Sequence, residues 1–353
     1  MSQLLGDALA LVSVDSPSRG EAELVSLLEG WLADFPDISV QRVGDNLIAE
    51  ANLERSERVL LVGHLDTVPI SLGHAPRIEG DLLYGVGSAD MKGSLAVFLG
   101  ILKDAQAAKV GISLVLYARE EIARSESGLT EVLSARPDLT SAKIAIVGEP
   151  TAGAIEAGCQ GSLRTRIDLA GLRAHSARPF MGRNAIHRSA ALVAAVGAYE
   201  PREVEIEGLG FTEQVQCVGI DGGISGNVVP DRCSLSVNFR YAPNRTPAQA
   251  EQWIREFFKA YLEPGDYLEF EDNAPAAQPF LSLAAVAQLL ALTGKPAHAK
   301  VGWTDVATLA DAGLAAVNFG AGDPLLAHHP DEQVSLAQLE SMDAVLRSFL
   351  GLS

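Results

Sequence analysis

Histidine and carboxylate side chains follow four short apolar segments of the chain, at the point where each segment ends. The segments and the polar residues behind them are VLLVG (59–63) before His64 and Asp66, ISLVLYA (112–118) before Glu120 and Glu121, KIAIVG (143–148) before Glu149, and AAVNFG (315–320) before His328. A further acid, Asp90, stands just before a helical pattern. Imidazole and carboxylate groups without thiolates suit zinc, cobalt or manganese better than calcium or copper. The sequence therefore predicts a metal site.

The number of carboxylates exceeds what one tetrahedral ion needs, which favours two ions that share a bridging acid. Two such ions lower the pKa of bound water toward about 7 and polarise a carbonyl oxygen. A carboxylate outside the donor set then acts as the general base. The adjacent pair Glu120 and Glu121 offers one ligand and one base. The predicted chemistry is attack of water on a carbonyl group.

The four apolar segments are predicted to be buried strands, because they alternate along the chain with helical patterns. Apolar residues have helical spacing over 18–35, 91–104 and 281–293, and Ser18 with Glu21 forms a predicted capping box at the first of these. Strand–helix–strand order is typical of an α/β domain with a mostly parallel sheet flanked by helices. Ligands of such sheets bind beyond the carboxyl ends of the strands, where the predicted donors stand.

The stretch 162–277 has a different pattern. Segments 162–171 and 232–243 alternate apolar and polar residues with a period of two, as half-exposed antiparallel strands do, beside helical patterns near 183–200 and 246–262. We expect an inserted α+β lid domain over 162–277, and a catalytic domain made of 1–161 and 278–353. An exposed sheet edge invites pairing with a second copy, so a homodimer through the insertion is predicted.

Composition argues against several other classes of protein. The chain has 353 residues, 48% of them apolar, and its formal net charge of −18 argues against nucleic acid or an anionic membrane as a partner. Its apolar stretches fall short of the roughly 20 residues that span a bilayer. The first residues do not resemble a secretory signal, and three cysteines without CxxC spacing do not suggest a disulfide framework. We expect a soluble cytoplasmic protein whose partners are small molecules.

Seven motifs resemble those of one hydrolase family, in the family's order and spacing. They are GHLDTVP (63–69), GSADMKGSLA (87–96), REE (119–121), GEP (148–150), GCQGS (158–162), AHSARP (174–179) and LAHHPDE (326–332). The family is that of the dinuclear zinc amidohydrolases and peptidases, which includes carboxypeptidases, aminoacylases and acetylornithine deacetylase. The resemblance implies a zinc-exopeptidase-like catalytic domain, two zinc ions per subunit with cobalt or manganese as substitutes, and hydrolysis of a linear amide in an N-acyl amino acid.

The resemblance also implies a role for each matching residue. The implied metal ligands are His64 and Glu149 for one ion, Glu121 and His328 for the other, and Asp90 as the bridging acid. Glu120 matches the general base, Asp66 the acid that orients His64, and His175 a histidine that reaches the partner's active site. The Asp90–Met91 peptide bond is expected to be cis. His329 stays open as an alternative to His328, although Glu332 of the HxxxE pattern points to His328.

Four further segments look most like the actinobacterial form of succinyl-diaminopimelate desuccinylase, namely GWTDVA (302–307), GAGD (320–323), SGNVVP (225–230) and NFRYAP (238–243). The implied reaction converts N-succinyl-LL-2,6-diaminopimelate to succinate and LL-2,6-diaminopimelate, on the route to lysine. Arg240 would grip a substrate carboxylate through a bidentate fork. The other implied substrate contacts are Asn227 in the partner's site, Thr304 with Gly302 at the succinyl end, and Arg178.

Three alternatives remain open from the sequence alone. Another hydrolase of the same family, such as acetylornithine deacetylase, a carboxypeptidase or a general N-acyl-amino-acid hydrolase, would differ in the acyl group that it releases. A metal-dependent binding protein would keep the fold without turnover, but Glu120, Asp90 and His175 argue against it. A nucleotide-binding oxidoreductase is the weakest alternative, because GVG (85–87) lacks the third glycine of a dinucleotide loop.

Overall fold

The computed structural model describes residues 2–52, 54–69 and 75–352. The chain divides into two units, each with its own internal contacts. The first consists of Met1–Gly158, Pro279–Ala299 and Thr304–Ser353, and the second of Cys159–Gln278 and Lys300–Trp303. The stretch 162–277, predicted as an insertion, falls inside the second unit. No helix of the described residues is long and apolar enough to cross a membrane.

The elements are numbered here in chain order. The strands are β1 (Ser39–Val43), β2 (Asn46–Ala51), β3 (Arg58–His64), β4 (Arg77–Glu79), β5 (Leu82–Tyr84), β6 (Gly111–Tyr117), β7 (Ile144–Val147), β8 (Glu156–Cys159), β9 (Gly161–Ala170), β10 (Ala174–His175), β11 (Arg202–Ile206), β12 (Leu209–Gly222), β13 (Val228–Val229), β14 (Arg232–Tyr241), β15 (Tyr267–Ala274), β16 (His298–Lys300), β17 (Ala316–Asn318) and β18 (Gln333–Ser335). The α-helices are α1 (Gln3–Val12), α2 (Ala22–Ala33), α3 (Gly93–Lys103), α4 (Gly128–Ala135), α5 (Ala185–Gly197), α6 (Pro247–Phe258), α7 (Ala284–Thr293), α8 (Val306–Asp311) and α9 (Leu336–Leu350).

The largest sheet has the strand order β1-β2-β6-β3-β7-β17-β8-β16. Its central strands β6, β3, β7 and β17 are parallel neighbours, and they are the four strands predicted from the apolar segments. β2 runs antiparallel to β6, and β8 runs antiparallel to β17. Helices α2, α3, α4 and α8 pack against strands of this sheet. The predicted α/β class, a mostly parallel sheet flanked by helices, is confirmed.

The predicted helices are present, but the capping box at the first of them is wrong. Helix α2 begins at Ala22, and no side chain caps it. The Ser18 hydroxyl instead donates a hydrogen bond to Asp66 Oδ2 at 2.7 Å. The reason is that backbone hydrogen bonds tie the segment around Ser16 and Ser18 to Thr67, which keeps these residues out of helical conformation.

The second unit has a five-stranded antiparallel sheet of order β11-β12-β14-β9-β15. Helices α5 and α6 pack on one face of this sheet, because alternate residues of β9 and β14 are apolar and buried there. In this core the ring of Trp253 stacks on Phe239 at 4.3 Å and on Phe257 at 4.9 Å. The residues between the buried ones, such as Asn238 and Arg240, are half-buried on the other face.

The parallel strands of the first unit end together at one edge of the sheet. His64 at the end of β3 pairs in register with Tyr117 at the end of β6, and Val62 pairs with Val147 of β7. Gly320, two residues after the end of β17, lies very close to the residues that follow β7. A Cβ at Gly320 would overlap the carbonyl oxygens of Gly148 and Glu149, so only glycine fits there.

Candidate active site

His64 leaves the end of β3 with both ring nitrogens in contact with acidic residues. Its Nδ1 lies 2.9 Å from the backbone oxygen of Asp66, and its Nε2 lies 3.1 Å from Asp90 Oδ1. The ring also meets Tyr117 edge-on, with centroids 6.3 Å apart. Because Nδ1 donates to a carbonyl, Nε2 is the nitrogen that faces the predicted donor set.

The Asp90 carboxylate lies between the two predicted histidine ligands. Oδ1 is 3.1 Å from Nε2 of His64, and Oδ2 is 3.5 Å from Nε2 of His328. One ligand atom from each of His64, Asp90 and Glu121 falls within 4.8 Å of the others. The peptide bond between Asp90 and Met91 is cis, as predicted. One oxygen toward each histidine is the arrangement that a bridging carboxylate requires.

The structure distinguishes His328 from His329. Nε2 of His328 is 2.9 Å from Glu121 Oε1, so this imidazole joins the cluster. The Nδ1 atom of His329 instead accepts a hydrogen bond from the Asp331 amide at 3.1 Å. His328 adopts a positive φ of 63°, which is unfavourable outside glycine. The side chains of His328 and His329 therefore have different partners, Glu121 and the Asp331 amide.

Glu332 holds the backbone next to Asp90. Its side chain is only 1% exposed, and Oε1 accepts hydrogen bonds from the amides of Ala89 (2.9 Å) and Asp90 (3.0 Å). Burial raises the pKa of Glu332 to about 7, although these amide bonds oppose the shift. The HxxxE pattern paired Glu332 with His328, but it contained no signal for a contact with residues 89 and 90.

The Asp66 carboxylate does not lie in hydrogen-bonding distance of the His64 ring, although the two residues are close. Its nearest oxygen to the ring, Oδ1, is 3.7 Å from Nδ1. Instead Oδ1 accepts from the amide of Glu120 (2.9 Å) and Oδ2 accepts from the amide of Glu121 (3.1 Å). Asp66 therefore contacts His64 through its carbonyl oxygen, while its carboxylate holds the segment after β6.

The pKa values of Glu120 and of the two histidines are shifted by burial and by neighbouring acids. Burial raises the pKa of Glu120 well above its ordinary range, and the charges of Glu149 and Asp305 raise it further. Hydrogen bonds to Asp90 and Glu121 raise the pKa of His328 to about 10. The hydrogen bond to Asp90 likewise raises the pKa of His64 well above its usual value, against the effect of burial. The acids thus stabilise positive charge at this place, and the donor set fits divalent cations.

A buried hydrogen bond between Tyr117 and Asp305 lies next to this cluster, and sequence reasoning missed it. The Tyr117 hydroxyl donates to Asp305 Oδ2 at 2.6 Å, and both side chains are buried. Thr304, a predicted substrate contact, is also buried and donates to Asn318 Oδ1 at 3.2 Å. No sequence pattern joins Tyr117 to a residue 188 positions away, so this pair could be found only in the folded chain.

Three predicted site residues lie near one another in the second unit. His175 of β10 pairs in register with Val228 of β13, and the amide of Ser176 donates to the Asn227 carbonyl at 2.9 Å. The Arg178 amide donates to the His175 carbonyl at 2.8 Å. The side chains of His175, Asn227 and Arg178 are exposed. Their contribution to a partner's site stays a prediction.

Arg240 differs from most arginines of the second unit. Its neighbours in register are Gln214 of β12 and Ser162 of β9. Among the described residues no carboxylate forms an ion pair with Arg240, and burial lowers the pKa of its guanidinium. Arg188 and Arg245, in contrast, contact Asp266 and Glu213. Gly302, the remaining predicted contact, is exposed.

Comparisons with known proteins give a matching family and relatives that are similar along their whole length. The model of the family described as "Peptidase family M20/M25/M40" matches residues 60–351. A protein of Mycobacterium tuberculosis, provisionally named a succinyl-diaminopimelate desuccinylase, is 41% identical over 99% of this chain and 100% of its own length. The succinyl-diaminopimelate desuccinylase of Corynebacterium glutamicum is 38% identical over 98% of this chain and 97% of its own.

Solved structures show the same fold at lower identity. The aminopeptidase PepT of Bacillus cereus superposes with a TM-score of 0.80 and 19% identity, over 99% of this chain and 97% of that one. A Bacillus subtilis protein described as a dinuclear metal-binding peptidase of the M20 family superposes with a TM-score of 0.72 and 18% identity, over 99% of this chain and 97% of that one.

Proposed function

The chain belongs to peptidase family M20/M25/M40 and is a metal-dependent hydrolase of amide bonds, and we propose that it hydrolyses N-succinyl-LL-2,6-diaminopimelate to succinate and LL-2,6-diaminopimelate. The observation that carries the hydrolytic chemistry is the Asp90 carboxylate between His64 and His328, together with the half-buried Glu120, whose pKa is raised. The two desuccinylase relatives, similar along their whole length, support the choice of substrate.

Two divalent ions, zinc in our proposal and cobalt or manganese as substitutes, would be held by five residues. His64 and Glu149 would bind one ion, Glu121 and His328 the other, and Asp90 both. When bound, such ions acidify water and polarise the carbonyl of the scissile amide. The hydrogen bonds that join Nε2 of the two histidines to Asp90 and Glu121 support this assignment. Once each Nε2 has lost its proton, this nitrogen and the carboxylate oxygen opposite it can bind the same cation.

Glu120 would act as the general base. A carboxylate oxygen of Glu120 takes a proton from the attacking water and later gives it to the leaving nitrogen. Its raised pKa supports this role, because a carboxylate that must hold a proton between the two steps works best when its pKa approaches the working pH. Asp66 would position it through the amides of residues 120 and 121.

Recognition of the anionic substrate would depend on Arg240, with Thr304 and Gly302 at the succinyl end and Arg178 as a further cation. A half-buried guanidinium with no acidic partner among the described residues supports this role, because a desolvated cation is stabilised by binding an anion. A planar guanidinium can bind a carboxylate through two parallel hydrogen bonds. This local charge would offset the repulsion that a dianionic substrate meets from a chain of net charge −18.

We also propose a cytoplasmic homodimer that forms through the second unit, with His175 and Asn227 reaching the partner's site. Exposed large apolar side chains on that unit support the dimer, because contact with a second copy would remove their surface from water. They are Phe180 (81% exposed), Ile224 and Val218 (64% each), Met181 (62%) and Ile220 (59%). The three cysteines are free thiols, which suits a reducing compartment.

A substrate panel with the zinc-loaded protein tests the proposed function. N-succinyl-LL-2,6-diaminopimelate, N-acetylornithine and an N-succinylated monoamino acid would be compared by release of succinate or acetate. We expect the succinylated diaminopimelate to give the highest kcat/KM, because only it carries both the succinyl group and the second amino-acid end. Preference for N-acetylornithine would replace the substrate but keep the chemistry. Absence of any hydrolysis with both metal sites filled would favour a binding protein instead.

A further inference from the structure

The segment from Ser16 to Glu21, just before α2, is tied to a loop that carries site residues. The Ser16 hydroxyl donates to the Leu65 carbonyl at 2.7 Å, and the amide of Thr67 donates to the Ser16 carbonyl at 2.9 Å. The segment therefore runs alongside residues 65–67, directly after His64. Neither Ser18 nor Glu21 belongs to the metal donor set.

Ser18 completes a set of donors around the Asp66 carboxylate. Its hydroxyl donates to Oδ2 at 2.7 Å, while Oδ1 and Oδ2 also accept from the amides of Glu120 and Glu121. Asp66 is fully buried, so its two oxygens depend on these three donors. Removal of the hydroxyl takes away the contact that fixes the carboxylate from the side of the N-terminal segment.

The Glu21 carboxylate accepts a hydrogen bond from the amide of Arg119, the residue just before Glu120. Its side chain is 1% exposed, and Oε1 accepts from the amides of Arg19 (3.0 Å) and Arg119 (3.1 Å). Three consecutive amides, those of residues 119, 120 and 121, thus donate to two buried carboxylates, Glu21 and Asp66. We call these two carboxylates with the Ser18 hydroxyl the amide clamp.

The clamp holds a turn that the backbone disfavours. Arg119 has a φ of 65°, in the left-handed region that side chains with a Cβ seldom adopt. Its side chain is also fixed, by hydrogen bonds to the carbonyl oxygen of Glu126 and to the carboxylates of Asp45 and Glu131. A disfavoured turn at the end of β6 persists only where its surroundings determine it.

We propose that Ser18 and Glu21 are positioning residues for Glu120, acting through the amide clamp and not through contact with substrate. They hold the backbone of residues 119–121 so that the base and the adjacent ligand Glu121 keep their places. This inference rests on the proposed role of Glu120 as the base. A shift of about 1 Å in a catalytic group lowers turnover by about 10²-fold, so a hydroxyl outside the reacting groups can matter.

The test compares Ser18→Ala, Ser18→Thr and Glu21→Ala in the metal-loaded protein with two controls on α2. The controls are Ser26→Ala, whose exposed hydroxyl bonds only the Ala22 carbonyl, and Glu29→Ala, whose carboxylate pairs with Arg42 at the surface. Glu21→Ala removes the oxygen that accepts from the Arg19 and Arg119 amides. With both metal sites kept filled, we expect Ser18→Ala and Glu21→Ala to lower kcat by roughly 10- to 100-fold, with KM unchanged. Ser18→Thr keeps the hydroxyl and should restore kcat.

Hydrogen exchange without substrate supplies a second measurement that does not depend on the reaction. The amides of residues 119–121 should exchange faster in Ser18→Ala and Glu21→Ala than in the parent and the controls. Unchanged exchange overturns the proposal whatever the activity, and so does faster exchange with an unchanged kcat. If Glu21→Ala fails to fold, the Ser18 pair decides. A parent protein that hydrolyses no N-acyl amino acid would contradict the proposed function, while the exchange data would still decide whether the clamp exists.

Discussion

Asp168 and Glu213 of the second unit form ion pairs with arginines, whereas Asp90 and Glu121 of the first unit contact histidines and, among the described residues, no arginine. Asp168 contacts Arg232, and Glu213 contacts Arg202 and Arg245. The pKa values of both acids lie below their ordinary range, because hydrogen bonds and arginine charges outweigh the effect of burial.

Two acids around the candidate site, Glu120 and Glu332, have the opposite shift. Burial raises the pKa of Glu120, and it raises the pKa of Glu332 to about 7, in an environment that contains several other carboxylates. The pKa of Asp90 is shifted the other way. Burial would raise it, but hydrogen bonds from His328 and His64 lower it by more. Arginines neutralise Asp168 and Glu213 of the second unit, while Glu120 and Glu332 of the first unit are stabilised by a proton or a nearby cation. Acids with shifted pKa values that cluster in this way are typical of functional sites.

Removal of the metal ions should have the largest effect on hydrolytic activity. Treatment with a chelator is expected to abolish amide hydrolysis, because no arginine or lysine in the described structure forms an ion pair with Asp90 or Glu121 and could replace the ions. Readdition of Zn²⁺, Co²⁺ or Mn²⁺ should restore it. The measurement is activity together with metal content. Full activity in a sample shown to be free of metal would contradict the proposed donor set.

Glu120→Gln should have the next largest effect. The amide cannot accept a proton from water, so kcat should fall by roughly 10²- to 10⁴-fold while two metal ions remain bound. Glu126→Gln is the matched control, because Glu126 is on the same loop but pairs with Arg19 at the surface. Near-normal turnover of Glu120→Gln would show that another group is the base.

Arg240→Ala tests whether the arginine without an acid serves the substrate. Loss of a charge-assisted hydrogen bond should lower kcat/KM by about 10- to 100-fold. Arg232→Ala, on the same strand but paired with Asp168, is the control and should leave kcat/KM unchanged. An equal effect of the two substitutions would mean that Arg240 acts through the fold and not through the substrate.

The smallest expected effect is an opposite pH dependence of stability in the two units of the metal-free protein. Acids with a lowered pKa, such as Glu213, stabilise the second unit above the pKa of the unfolded chain, and this stability is lost as the pH falls through the folded value. Glu332, with its pKa raised to about 7, stabilises the first unit at acidic pH and loses that contribution as the pH rises to neutrality. The shift of Glu332 from 4.5 to about 7 limits its contribution to roughly 3 kcal/mol.

Tryptophan fluorescence can follow the two units separately. Trp31 is in the first unit, and Trp253 and Trp303 are in the second. Unfolding of Trp31→Phe therefore reports on the second unit, and comparison with the parent protein reports on the first. Parallel pH profiles for the two signals would show that the raised and lowered pKa values do not govern stability.

Periodicity in the sequence predicted most of the architecture around the site. The four apolar segments became β3, β6, β7 and β17, which are parallel neighbours, because a continuous apolar run reports burial on both faces of a strand. The alternating segments became β9 and β14 of an antiparallel sheet for the matching reason. Predictions of this kind succeed because each depends on residues that are adjacent in the chain.

The capping box at Ser18 and Glu21 shows where local reasoning fails. The spacing fits a helix start, but the hydroxyl of Ser18 binds an acid 48 residues away, and the carboxylate of Glu21 binds an amide 98 residues away. A polar side chain with an equally good local and distant partner follows the packing of the segments, which the local pattern does not contain.

The amino-acid sequence by itself determined the class of fold, the strand ends that carry donors, and the chemical kind of donor. Burial and side-chain chemistry are properties of single residues and short segments, so both can be read along the chain. Only the tertiary structure decided that His328 and not His329 faces Glu121, that the Asp66 carboxylate holds the amides of Glu120 and Glu121, and that Glu332 supports Asp90. These contacts join residues up to 242 positions apart, and hydrogen-bond geometry at that separation depends on the path of the whole chain.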